Sequence, residues 1–478
     1  MLDQGLGFIF DPKSVAIAGV SAKQMSSGGM GQRYFRSMLD YGFKGRVYPL
    51  NPKGGEIDGL RLYANIKDIS EPVDYVISCI PAPAGPQLMK DCIAKGVKVV
   101  HFYTSGFSEI GTEERRKLEE EIRTLAKASG IRIIGPNCLG VYCPKSNFTF
   151  HADFPRESGP VALVCQSGGI STYLIREAAK RGVRFSKVVS YGNAADIDET
   201  DLLDYLAHDP DTRIILAYIE GVKNGRKFGQ VLKEAARAKP VIVIKGGVTE
   251  SGARSAASHT GALAGSNETW DALLHQVGAI RVSSLEELID MAVTFSYLSL
   301  PRGRRVGIMG IGGGLTVLAT DECGSAGLVV PRLPQHLCEE LSDLVKDEAG
   351  TILNNPMDIS AGAWESGYYR ALEILTGYED IDFAMVHIAL GPLSFPLSWY
   401  DQVWNSLIED IAKFHKESAK PVMVIIHQLT SDADYKWMFE AQKRCSEAGL
   451  PVYHSIGSAV RSFDRFYKYS ERNSGCGS

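Results

Sequence analysis

The sequence predicts an α/β architecture built on parallel sheets, on the strength of two observations. Near-continuous apolar runs of five to seven residues recur along the chain, and each is followed by a glycine-rich turn and a helical pattern. Runs without polar alternation belong to strands covered on both faces, as in the parallel sheets of α/β proteins. The same grammar fills three blocks. The first opens with SVAIAGVS (Ser14 to Ser21) and continues through RVYPLNP, DYVISCIPAP, VKVVHFYTSGF and IRIIGPN. The second opens with PVALVCQSGG (Pro160 to Gly169) and continues through KVVSYGN, RIILAYIEG and PVIVIKGG. The third opens with RRVGIMGIGGG (Arg304 to Gly314), followed by DFAMVHIALGP, PVMVIIHQ and PVYHS. Open sheets of this kind hold ligands at the carboxyl ends of their strands, where these turns fall.

The length of 478 residues suggests three domains, at about 150 residues each. The pattern breaks near Gly135 to Pro160, where Pro136 to Pro155 reads as a crossing loop, and again near Leu298 to Arg304. The expected domains are therefore 1–135, 136–298 and 299–470, with a small polar tail at 471–478 that reads as disordered. The segment EERRKLEEEIRTLAKAS reads as a helix with a solvated outer face. With 51 basic and 56 acidic side chains, the net charge of −5 favours neither nucleic acid nor an anionic membrane as partner. The start lacks the features of a secretory signal, and no stretch approaches the ~18 apolar residues that span a bilayer. The nine cysteines are scattered. The closest pair, Cys138 and Cys143, matches no zinc spacing, so we expect reduced thiols, no metal site and a cytoplasmic protein.

Four constellations could carry chemistry. The turn GVSAKQMSSGGMG follows a strand and precedes a helix, but it lacks G-x-G-x-x-G. After the next strand, Asn51-Pro52-Lys53 stands where a dinucleotide fold places an acid, which suits phosphate better than ribose; a plain strand-to-helix turn remains open. In CQSGGIS, Gln166, Ser167, Gly168 and Gly169 sit where a strand ends and a helix begins. Bare N–H groups and the helix dipole there favour a phosphate, and the serine does not fit a nucleophile elbow because G-x-S-x-G is absent. The third, Lys245 to Gly265, reads as a long loop of small residues around His259. With Ser258, Thr260 and Gly261 as neighbours, this histidine suits an exposed, mobile side chain. Imidazole is a good nucleophile near neutral pH if a carboxylate fixes its tautomer, and Glu220, ending RIILAYIEG, lies on a neighbouring strand. A structural histidine remains equally open on the residues alone. The fourth is Gly312, Gly313 and Gly314, a second strand-to-helix cradle.

Taken together, GARSAASHTGALAG, QSGG upstream and NPMD downstream resemble the α subunits of NDP-forming acyl-CoA synthetases. These are relatives of succinyl-CoA synthetase, with ADP-forming acetate–CoA ligase as the nearest well-known type. The likeness runs from FDPKSVAIAGVS to about SLEELID and continues through the third block. It implies a CoA-binding Rossmann-like domain followed by two flavodoxin-like parallel-sheet domains. It also implies a reaction: acyl-CoA and phosphate give an acyl phosphate, a histidine takes the phosphoryl group, and ADP on an ATP-grasp domain accepts it. Carried onto this chain, His259 is the phosphoryl carrier, Glu220 orients it, and Gln166 to Gly169 and Gly312 to Gly314 hold the phosphoryl group. CoA contacts would come from Gly19, Ser21, Lys23, Asn51, Lys53, Ile80 and Pro81, with Ser105 and Gly106 near the thiol. Asn137, Gly192 and Asn193 match positions lining the acyl site.

No ATP-grasp pattern is visible, so ADP or ATP with magnesium is expected on a separate β subunit, in a heterotetramer that acts on a small carboxylic acid and CoA. The segment Asn355 to Trp364 is a candidate acyl contact or a structural loop. The competing reading is a catalytically silent CoA-binding regulatory module, which would have no need of His259, Glu220 and two cradles. An NAD-dependent dehydrogenase is disfavoured by the missing ribose-binding acid and the lack of a tyrosine–lysine pair.

Overall fold

The computed structural model describes residues 5–21, 29–260, 266–310, 312–344, 351–359, 367–388, 397–427 and 432–474. Each expected apolar run forms a strand. The first sheet starts with β1 (Ser14–Ala18) and β2 (Arg46–Leu50), which pair in parallel. A separate hairpin of β3 (Gly55–Ile57) and β4 (Leu60–Leu62) follows. Three more parallel strands, β5 (Tyr75–Ser78), β6 (Val99–Phe102) and β7 (Arg132–Ile134), complete the order β2-β1-β5-β6-β7. The connecting helices are α1 (Met30–Tyr41), α2 (Gly85–Lys95) and α3 (Glu113–Ser129). Every residue of β1, β5 and β6 is buried, which is why these strands read as unbroken apolar runs. Helix α3 buries only Ile122 and Ala126, as its charge pattern requires.

The second sheet contains β8 (Gly140–Tyr142), β9 (Val161–Cys165), β10 (Phe185–Ser190), β11 (Ile214–Ile219), β12 (Val241–Lys245) and β13 (Ile280–Val282). Their order is β13-β12-β11-β9-β10-β8. Its helices are α4 (Gly168–Lys180), α5 (Glu199–His208), α6 (Gly225–Ala238), α7 (Glu250–Thr260) and α8 (Asn267–Val277); α9 (Leu285–Tyr297) follows β13 and leads to the third block. One expectation fails here. The stretch Pro136 to Pro155 is not only a crossing loop, because β8 pairs antiparallel with β10 and caps the edge of the sheet. A three-residue strand is too short to show a period, and pairing with β10 rather than its own propensity makes it a strand.

The third sheet, in the order β15-β14-β16-β17-β18, is parallel throughout. It comprises β14 (Val306–Gly310), β15 (Met357–Asp358), β16 (Phe383–Ile388), β17 (Val422–Ile426) and β18 (Val452–Tyr453). Helices α10 (Gly313–Ser325), α11 (Gln335–Leu344), α12 (Tyr368–Gly377), α13 (Leu397–Glu417), α14 (Asp432–Glu447) and α15 (Ile456–Ser474) cover it. Helix α15 also corrects the tail, since residues 471–474 continue the helix. Phe463 anchors it by stacking on Phe383 at 4.1 Å between ring centres, and helix propagation from that anchor costs little.

The chain forms two compact units: Met1–Arg176 with Arg184–Leu288, and Glu177–Val183 with Ile289–Ser478. The first two sheets therefore share one unit. Among the described residues no helix is long and apolar enough to cross a membrane, and no cluster of side chains could hold a metal ion. Cys138 and Cys143 are free, buried thiols.

Candidate active site

The carboxyl ends of the first two sheets meet at a cavity of about 430 Å³. Tyr103 and Ser105 reach it from the loop after β6, Asn137 to Leu139 from the crossing segment, Gln166 to Gly169 from the start of α4, and Gly192 from the turn after β10. Four segments thus converge. The walls are fixed by main-chain bonds: Asn137 N donates to Thr104 O at 3.1 Å, Asn193 N to Pro136 O at 3.0 Å, and Ala195 N to Gly135 O at 2.8 Å. Gly192 has a φ of +55° and lies so close to this segment that a Cβ would fall 2.2 Å from Pro136 O. Only glycine fits such an approach.

Gln166, which lines the cavity, also acts as a brace. Its Oε1 accepts from Glu220 N at 2.8 Å and more weakly from Gly221 N and the Tyr191 hydroxyl, both at 3.4 Å. The side chain is a brace that joins the end of β9 to the end of β11. Ser167 instead serves the start of α4, its hydroxyl accepting from Ile170 N at 3.4 Å. The N–H groups beyond it, on Gly168 and Gly169, face the cavity end of a helix whose dipole favours an anion.

Glu220 is buried at 7% exposure. The Tyr218 hydroxyl donates to its Oε1 at 3.1 Å, while Oε2 is buried with no hydrogen-bond partner among the described residues. A buried carboxylate oxygen left without a partner is costly, and Glu220 directly follows β11, whose last residue Ile219 pairs with Lys245 of β12. The segment following β12 leads to His259. It is not a loop at this point, because α7 carries the chain from Glu250 to Thr260. Thr249 accepts from Gly252 N at 3.1 Å, Glu250 pairs with Arg254 at 2.7 Å, and the alanines suit a helix interior. His259 stands on the last turn; its side chain lies outside the described residues.

Of the remaining expectations, Asn193 turns away from the cavity. Its amide donates to Glu109 Oε2 at 2.6 Å and Glu119 Oε2 at 3.1 Å. Nothing near it in sequence signals those partners. At the first glycine turn, Gly19 has a φ of +96°, and a Cβ on Gly31 would lie 2.4 Å from Gly19 O, so strand end and helix start are in contact. Asn51 braces the same turn, donating to Val20 O at 2.7 Å and accepting from Lys53 N at 3.0 Å. Ser21 is partly buried, Lys53 is exposed, and Lys23 lies outside the described residues. Ile80 O accepts from the Thr104 hydroxyl at 2.7 Å, and Pro81 starts a short turn ahead of α2. Gly106 adopts a φ of +103° beside Ser105.

In the second unit, Gly312 has a φ of +98°, its N–H donates to Asp358 Oδ1 at 2.9 Å, and Gly313 and Gly314 open α10. Asn355 is structural: its Oδ1 accepts from Ile308 N at 2.9 Å and its Nδ2 donates to Val306 O at 2.9 Å. Residues 360–364 of that segment lie outside the described part. Sequence reasoning missed Tyr103 and Leu139, which line the cavity, although Tyr103 directly follows β6; Leu139 directly precedes β8.

Comparison with known proteins agrees with this layout. Residues 13–144 match the CoA binding domain family and residues 158–295 the succinyl-CoA ligase like flavodoxin domain family. The chain is 37% identical to the α subunit of ADP-forming acetate–CoA ligase I of Pyrococcus furiosus, across 97% of both chains. It is 35% identical to the ADP-forming acetate–CoA ligase of Methanocaldococcus jannaschii, across 98% of this chain and 64% of that one. A solved structure of dinucleotide forming acetyl-coenzyme A synthetase 1 from Ca. Korarchaeum cryptofilum, in complex with phosphate and ADP, superposes with a TM-score of 0.80. It is 31% identical and covers 98% of this chain and 97% of that chain. The chain belongs to the ADP-forming acid–CoA ligases, alongside their α subunits.

Proposed function

We propose that this chain interconverts acyl-CoA plus phosphate with a carboxylic acid plus CoA through a phosphohistidine at His259. CoA binds along the carboxyl edge of the first sheet with its thioester at the cavity. A phosphate oxygen attacks the thioester carbonyl and CoA leaves as the thiolate, giving an acyl phosphate. An imidazole nitrogen of His259 then attacks phosphorus and the carboxylate leaves. Glu220 accepts the N–H of the other ring nitrogen, which keeps the attacking nitrogen unprotonated. The N–H groups at Gly168 and Gly169 hold the phosphoryl charge. The phosphoryl group passes to ADP, held with magnesium on a separate ATP-grasp subunit.

The observation that carries this reading is Glu220, braced by Gln166 and Tyr218 yet with Oε2 buried and without a hydrogen-bond partner among the described residues. The test is incubation of the purified chain with acetyl-CoA and labelled phosphate. An acid-labile, base-stable label is expected, absent from His259→Ala while CoA affinity stays unchanged, and ATP forms only after the partner subunit is added. An acid-stable label, or one that persists in His259→Ala, refutes the reading.

A further inference from the structure

Lys245 ends β12 and is 6% exposed, which is unusual for a lysine. Its Nζ donates to the main-chain oxygen of Glu220 at 2.7 Å and to that of Gly246. The ammonium thus ties the end of β11 to the end of β12. The same Nζ lies 5.5 Å from the ring centre of Trp270 on α8, within cation–π range. The chain then passes directly beneath Glu220. A Cβ on Gly246 would come 2.7 Å from the Tyr218 hydroxyl and 3.1 Å from Glu220 Cγ. Two apolar strand ends would pair without a buried charge, so the lysine answers some other need.

We propose that Lys245 is a positioning residue for Glu220, holding its main chain and setting a positive charge beside the carboxylate that receives the imidazole N–H. The proposal rests on the phosphohistidine reading above. Among the described residues, the groups that face Lys245 are Glu220 just after β11, Arg281 on β13 and Trp270 on α8; Tyr218 on β11 donates to Glu220, and on α7 Glu250 and Arg254 pair with each other. Burial lowers the Lys245 ammonium to about 8, with the Glu220 charge opposing the fall and Arg281 adding to it. Below that pH the ammonium supplies both hydrogen bonds and charge. Above it, a neutral amine still bridges the two carbonyl groups, but its charge is gone.

The test is the single-turnover rate of His259 phosphorylation from acetyl-CoA and labelled phosphate, followed from neutral to alkaline pH. The unmodified protein should lose rate above about pH 8. Lys245→Arg, which cannot titrate there, should keep its rate through that range. Lys245→Met should fall about ten-fold or more at neutral pH, the loss of a charge-assisted contact, and show no break near that pH. CoA affinity by calorimetry should be the same in all three. A readout independent of catalysis is competitive labelling of Lys245 with acetic anhydride, whose midpoint should drop further in Glu220→Gln. A break that persists in Lys245→Arg, or a midpoint unmoved in Glu220→Gln, overturns the role of Lys245 while leaving the phosphohistidine intact. No label on His259 in the unmodified protein overturns both.

Discussion

Replacing Gln166 with methionine separates a brace from a phosphate contact. Methionine matches glutamine in length but offers only a weak thioether acceptor where Oε1 stood. Three donors lose their acceptor: Glu220 N at 2.8 Å, and Gly221 N and the Tyr191 hydroxyl at 3.4 Å. A buried donor left unsatisfied costs ~1–3 kcal/mol, and the two long bonds count for little. The local cost is then about 2 kcal/mol. Hydrogen exchange reads it directly, because the Glu220 amide should lose about thirty-fold in protection. Phosphorylation of His259 should slow at least ten-fold as Glu220 loses its tether. CoA affinity should not change, since the first sheet is untouched. Unaltered protection at Glu220, with weakened phosphate binding instead, would show that Gln166 meets the phosphate and that the brace is incidental.

Gly192→Ala should disturb the cavity wall, because its Cβ would overlap Pro136 O and Asn137 O at 2.2 and 2.6 Å. The overlap and the positive φ together imply a loss of about 2–4 kcal/mol in chemical denaturation and a sharp fall in activity. Gly169→Ala, with nothing within 4 Å of its Cβ, should leave stability unchanged or slightly raised; equal behaviour of the two would refute the argument. Glu199 is 2% exposed, and burial followed by the Asp198 charge raises its carboxyl from 4.5 to about 8. It is neutral in the folded chain but ionised when unfolded, so the fold holds the extra proton, and stability falls as pH rises from 4.5 through about 8. Glu199→Gln should remove that slope and be more stable at alkaline pH by a few kcal/mol, at most about 5. A parallel pH dependence in both proteins would sink the assignment.

Most of the strand content was legible because buried parallel strands announce themselves, and VALVC or VIVIK can hardly be anything else. What escaped was set by partners distant in sequence. Strands β8, β13 and β15 span three residues or fewer, too few to show a period, and exist because a neighbouring strand pairs with them. Helix α7 read as a loop because Gly252 and the serines mask an alanine-rich, ion-paired helix. At the site, the sequence supplied the right residue types at strand ends but not their directions. Asn193 turns to Glu109 and Glu119, some 84 and 74 residues away, and Gln166 turns to a main chain 54 residues away. Lys245 went unremarked because it ends an apolar run, although a cation closing a buried strand was the available signal.

The short strand β8 bears on how this protein can be divided and recombined. The segment leaving the first sheet lines the cavity at Asn137 to Leu139 and, one residue later, becomes the outer strand of the second sheet. A fragment beginning after residue 142 would lose that cover from β10 and leave a row of backbone donors and acceptors open to another chain. Tyr34 and Tyr41 of α1 add to the stitching, their hydroxyls donating to Leu139 O and Pro155 O. Exchange of a CoA-binding half between relatives would therefore have to carry its own crossing segment and find a matching β10 to receive it. Divergence in the acid accepted is then expected to arise through substitution within the shared wall, with the two halves inherited as a pair.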